Sequence, residues 1–185
     1  GGYAIHIPAS KVAQLAQPHS VIDAGRSAEM DELRNEVASK PGQWKPQGLH
    51  KDILLKPHQE LAVRAIVGQK RMVLNHGAGS GKTAILYSAA AHLMNTDKID
   101  RALVTMPAKP RSQQRGERGE AAKFLDPEMA KRVTVIEDGR DLRRHLASVK
   151  AGEKMILVMS PQMMRDHVGA LVDAGFGGER SMLFA

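Results

Sequence analysis

Nine consecutive residues hold the densest chemistry in this chain: Asn75, His76, Gly77, Ala78, Gly79, Ser80, Gly81, Lys82 and Thr83. Gly77, Gly79 and Gly81 tolerate backbone angles that other residues resist, so successive N–H groups, those of Ala78 and Ser80 included, can turn inward toward one phosphate. Lys82 would reach the β- and γ-phosphates of a nucleotide, and Thr83 would set its hydroxyl on Mg²⁺. A helix starting here would aim the positive end of its dipole at the same anion. The general pattern asks for glycine where His76 stands. A merely flexible Gly/Ser loop is the alternative, and the flanks argue against it.

Those flanks are the elements that must hold the loop. Residues 71–75 are short, apolar and bounded by polar residues, as a buried parallel strand should be. Residues 84–94 carry Ala, Ile, Leu and Tyr without Gly or Pro and read as a helix. Beyond them the same alternation repeats. Strands are expected near 71–75, 101–106, 132–136, 154–159 and 181–185, with helices over 82–95, 110–124, 141–150 and 161–174 between them. Parallel neighbours require crossover connections, so this order predicts an α/β fold, a doubly wound parallel sheet with helices on both faces. Met159, Met163 and Met164 are expected in the core or in helix packing rather than in chemistry. In such open sheets ligands bind beyond the carboxyl ends of the strands, where loop 76–83 sits beside the loops at 107–114, 137–140 and 160–162.

Residues 1–52 differ from the rest. They are polar, broken by Pro8, Pro18, Pro41 and Pro46, and read as an irregular extension or linker ahead of a domain at 53–185. Inside the extension Ser27 can cap a short helix running to Ser39, with Met30, Leu33 and Val37 on one face packing against the main domain. Between Lys40 and Arg71 seven Lys/Arg face two acids, a pattern equally consistent with a solvated basic surface and with a contact site.

Composition bounds the function classes. The 185 residues are 42% hydrophobic, enough for one cored domain with an appendage. No apolar run approaches the roughly 20 residues that span a bilayer, so no membrane partner is expected. Zero cysteines exclude disulfides and thiolate metal sites, and the eight histidines are scattered rather than set at ligand spacing. A net charge of +7 favours an anionic partner, nucleic acid first, while 3% aromatics argue against a base-stacking platform. Gly1 in place of an initiator Met is read as processing or as a segment of a longer protein.

Leu55, Pro57 and Gln59, ahead of a short helix carrying Leu61, Ala62, Ala65 and Ile66, resemble the upstream Leu-x-Pro-x-Gln element of superfamily 2 helicases and translocases. The resemblance makes Gln59 the reader of the adenine edge, a task that suits a carboxamide because it offers donor and acceptor together. Read alone, Pro57 is a first-turn helix proline and Gln59 an exposed helix residue. Residues 102–107, ending in Met106 and Pro107, are similar to the family's second signature strand. The Gln114 to Glu117 element behind it is similar to the Trp-x-x-Glu of the chromatin-remodeller and restriction-translocase branches, with Gln114 in the Trp position. The resemblance implies contacts from Lys109, Arg111 and Arg115, and from Ser160 and Gln162 after a later strand, to a nucleic-acid backbone, DNA before RNA.

What the family implies for residues 53–185 is a RecA-like P-loop domain, incomplete here, that takes ATP and Mg²⁺ as the ATP-binding part of a DNA-dependent motor in a larger protein. Its remaining partners would be the rest of the parent chain and a second motor domain, in the cytoplasm, at the nucleoid or, if phage-encoded, in a virion. The family's Asp-Glu box would follow residues 181–185, and the one Asp-Glu pair present is Asp31 and Glu32 in the extension. This segment alone is therefore expected to bind nucleotide weakly and hydrolyse it negligibly. A different P-loop NTPase or kinase, and a structural ATPase-like module, are the alternatives.

Overall fold

A computed structural model of the chain describes residues 20–68, 81–114, 119–150 and 152–184, with side chains described from residue 28 onward and not at 108–109. The expected strand at 71–75 and the loop residues 76–80 lie outside the described residues.

Three helices come first: α1 (Ser20–Ser39), α2 (Pro57–Gly68) and α3 (Lys82–Asn95). Then follow β1 (Arg101–Thr105), α4 (Ala108–Ser112), α5 (Glu120–Phe124), α6 (Pro127–Ala130), β2 (Val133–Val135), α7 (Gly139–Ser148), β3 (Met155–Met159), α8 (Pro161–Asp166), α9 (Val168–Asp173) and β4 (Ser181–Phe184). The described strands form one all-parallel sheet in the order β2-β3-β1-β4, with Arg101 opposite Met155 on one side of β1 and Ser181 on the other. This is the α/β architecture that the strand–helix alternation predicts, an incomplete RecA-like fold.

Period-2 alternation splits the apolar strands between two cores. Ala102, Val104, Ile156 and Val158 face one layer, where they pack with Val63 and Ile66 of α2 and Ile85, Tyr87 and Ala89 of α3. Leu103, Met155, Leu157 and Met159 face the other, against Leu142 of α7 and Leu171 and Phe176 from α9 and the turn after it. Met163 and Met164 pack on that second core, the structural role their types suggested. Each fully buried Leu or Ile contributes about 1.5–3 kcal/mol.

Three sequence expectations are corrected. Helix α1 begins at Ser20, so Ser27 lies inside the helix rather than at its start. The helix expected at 110–124 is interrupted, since α4 stops at Ser112 and Gly119, extended at φ −68 and ψ 161, starts α5 afresh. The helix expected at 161–174 divides at His167 (φ −126, ψ 20) into α8 and α9.

Residues 28–56 dock on the helical layer. Val37 is buried, Arg64 of α2 pairs with Glu36 at 2.6 Å, and its guanidinium lies 5.9 Å from the Trp44 ring. Of the seven Lys/Arg between Lys40 and Arg71, Arg64 is thus engaged within the chain rather than left on a solvated surface. Buried Glu60 accepts the Gly42 N–H at 2.9 Å. Trp44 meets His92 of α3 edge-on at 5.1 Å, and His92 Nδ1 accepts the Gln47 N–H. That acceptor requires a neutral ring nitrogen, and burial lowers the His92 pKa in the same sense.

Candidate nucleotide site

The direction of α3 fixes where its ends lie. Its last turn reaches the amino edge of the sheet, where Lys154, just before β3, donates to the Met94 carbonyl at 2.7 Å. The helix has 14 residues, about 21 Å of rise, so Lys82 and Thr83 at its start project toward the carboxyl edge. Gly81 heads the helix in the left-handed region (φ 82, ψ 33), which only glycine enters without strain. No side chain caps this end. The first-turn N–H groups of a helix have no partner within it, so an uncapped start of this kind suits an anion.

Gln59 arrives at the same point from α2. Its Oε1 accepts the Lys56 N–H at 3.0 Å, as the third residue of a helix does when it reaches back to close a capping box. That bond orients the carboxamide and turns Nε2 toward the loop, where a Cβ on Gly81 would collide with it. Gln59 and Gly81 are thus in contact, with exposed Lys82 and half-buried Thr83 next in the chain. A carboxamide meets an uncapped helix start here, and a cation and a hydroxyl, Lys82 and Thr83, come next in the chain. This set fits a nucleotide phosphate and Mg²⁺, with Thr83 as the protein hydroxyl available to the metal. Among the described residues no cluster of His, Asp or Glu could hold a metal ion by itself. Gly77, Ala78, Gly79 and Ser80 lie outside the described residues.

The residues expected at a nucleic-acid backbone are spread over two loops of the carboxyl edge. Arg111 is half-exposed in α4, Lys109 shares that helix, and Arg115 lies outside the described residues. Ser160 caps α8, its Oγ accepting the Met163 N–H at 3.1 Å, with Pro161 in the first turn. Gln162 is exposed, donates to Asp166 at 2.7 Å and accepts from Arg165 at 2.6 Å. Both side chains therefore have local structural work at this edge.

Gln114 has a role that the sequence did not disclose. It is buried, accepts the Tyr87 hydroxyl at 2.9 Å through Oε1, and donates through Nε2 to the Pro110 carbonyl at 2.8 Å and to Glu120 at 2.9 Å. One amide thus ties α3, α4 and α5 together and fixes the loop after β1. Burial, reinforced by the Glu120 charge, pushes the Tyr87 phenol above its ordinary pKa and keeps it a donor. Glu60 was also missed, and the nearest signal was an acid on the apolar face of α2.

Among described residues no helix is long and apolar enough to cross a membrane. No curated protein matches the chain. The model of the DEAD/DEAH box helicase family matches residues 56–179, most of the chain, and the match begins at Lys56, whose N–H orients Gln59. Domains of this type hydrolyse ATP, generally with Mg²⁺, and bind nucleic acid. The chain belongs to the DEAD/DEAH box helicase family and carries part of an ATP-dependent, helicase-like motor.

Proposed function

We propose that the chain is the nucleotide-gripping part of the first motor lobe of a superfamily 2 DNA translocase or helicase, of the restriction-translocase or remodeller type, within a larger protein. The observation that carries this reading is the contact between Gln59 and Gly81 at the uncapped start of α3. Gln59 reads adenine, the backbone from Gly77 to Gly81 cradles the phosphates, Lys82 neutralises the β- and γ-phosphates, and Thr83 holds Mg²⁺. Bound Mg²⁺ supplies charge stabilisation for phosphoryl transfer. Lys109, Arg111, Arg115, Ser160 and Gln162 contact the DNA backbone, and residues 1–52 form an extension to the motor at 53–185.

These residues supply grip rather than turnover, because Asp31 and Glu32, the chain's one Asp-Glu pair, lie in α1. Alone they bind ATP and hydrolyse it negligibly, and robust DNA-stimulated hydrolysis by the 185 residues contradicts that. In the full-length protein Lys82→Ala abolishes ATP turnover while DNA binding persists. Undiminished turnover removes Lys82 from the site.

A further inference from the structure

Gln59 and the residue after it face different neighbours. A helix turns by about 100° per residue, so Gln59 meets Gly81 while Glu60 meets residues 36–44, the end of α1 and the turn after it. Glu60 is 1% exposed, an uncommon burial for a carboxylate. Its Oε2 accepts the Gly42 N–H at 2.9 Å, and its Oε1, without a hydrogen bond among the described residues, lies 3.7 Å from Arg64 Nη1. Arg64, one turn further along α2, bonds Glu36 at 2.6 Å and stands over the Trp44 ring. Gly42 is in the left-handed region at φ 74, a conformation that glycine enters without strain. Glu60 and Arg64 thus clamp residues 36–44 at three points.

The clamp acts on the turn that carries Gln59. The Lys56 carbonyl accepts the N–H groups of Gln59 at 2.8 Å and Glu60 at 2.9 Å, while the Lys56 N–H donates to Gln59 Oε1. Helix ends fray unless they are held, and of the first four residues of α2 only Glu60 is buried. Holding this turn matters for the choice of base. A carboxamide carries its donor and acceptor on opposite arms, so one that is free to flip exchanges them and serves either purine.

We infer that Glu60 is a positioning residue for base selection: by pinning the first turn of α2 to residues 36–44 it keeps the Gln59 carboxamide in the orientation that prefers adenine to guanine. This rests on the reading of Gln59 as the adenine reader. It makes the segment ahead of α2 part of the specificity of the nucleotide site.

The test is the ratio of ATP to GTP affinity, by titration calorimetry with denaturant stability measured alongside, for the unaltered chain, Glu60→Ala, Glu60→Gln, Trp44→Ala and Val63→Ala. Val63 is buried in the core one turn beyond Gln59, so Val63→Ala destabilises α2 without loosening the clamp. Glu60→Ala lowers the ratio several-fold. Glu60→Gln, whose side-chain oxygen still accepts the Gly42 N–H, restores most of it. Trp44→Ala loosens the same segment more gently and shifts the ratio in the same direction by a smaller factor. Val63→Ala loses stability and keeps the ratio. An unchanged ratio in Glu60→Ala, or in Trp44→Ala where Glu60→Ala does not fold, overturns the inference. An equal drop in Val63→Ala also overturns it, because selectivity would then merely follow stability. Equal affinity for ATP and GTP in the unaltered chain contradicts the adenine reading of Gln59 itself.

Discussion

The two edges of the sheet handle charge in opposite ways. At the amino edge Arg180, Lys154 and Arg101 are answered from within the chain. Arg180, before β4, grips Asp100 with two hydrogen bonds at 2.6 and 2.9 Å and reaches Asp97 Oδ1 at 3.0 Å. Lys154 meets the same Asp97 at 3.0 Å. Arg101, buried at the start of β1, donates to the Lys150 carbonyl at 2.8 Å and the Ala174 carbonyl at 3.4 Å, its guanidinium 5.9 Å from the Phe176 ring. These bonds knit the starts of β1, β3 and β4 to the end of α3. The amino edge thus bonds its charged groups to one another, whereas the start of α3 at the carboxyl edge has no side-chain cap.

Separate consequences should follow from damage to each edge. Arg101→Ala removes a buried guanidinium and strands two carbonyls, which should cost about 2–4 kcal/mol of stability in denaturant unfolding. ATP affinity of the folded fraction should not change. A parallel loss of ATP affinity would mean that the edges are coupled. Gly81→Ala forces a Cβ into the left-handed region and against Gln59, at a cost of about 1–2 kcal/mol, and here ATP affinity should fall together with stability. Unchanged affinity in titration calorimetry would exclude Gly81 from the nucleotide cradle.

A subtler contrast is pH. Hydrogen bonds from Lys154 to Asp97 and from Arg180 to Asp100, with charge from the same cations, hold both carboxyls below their ordinary range. A carboxylate with a lowered folded pKa stabilises above its unfolded value, about pH 4, and that contribution is lost as pH falls through the folded value. The acid limb of the stability profile should therefore be shallower in Arg180→Gln than in the unaltered chain. Superimposable acid limbs would show that these ion pairs do not contribute.

How much of this could be read from residue order depended on the range of the force involved. Leu103, Val104 and the run from Met155 to Met159 announced buried strands because burial on both faces needs an apolar residue at every position. The nucleotide site was legible as local glycine spacing and as Pro57 and Gln59, whereas the contact that brings Gln59 to Gly81 joins two helices and is a tertiary fact. The end of α4 at Ser112 and the fresh start after Gly119 had a local cue in the sequence, Gly116 and Gly119, outweighed by the helix-forming residues around them. The division at His167 had none: no Gly or Pro stands there, and the imidazole lies against Gly139, 28 positions earlier in the chain. Gln114 looked like a lost Trp. Its amide bonds to Tyr87, Pro110 and Glu120 depend on packing that no spacing rule encodes.

The central claim is that Gln59, held by the Lys56 N–H against Gly81, makes this edge an adenine nucleotide site. The most direct measurement is the ratio of ATP to GTP affinity, by titration calorimetry, for the unaltered chain and for Gln59→Ala. The ratio cancels any general weakening from the lost helix cap. A preference for ATP that collapses toward equality in Gln59→Ala is the predicted result, and an unchanged ratio would contradict the account.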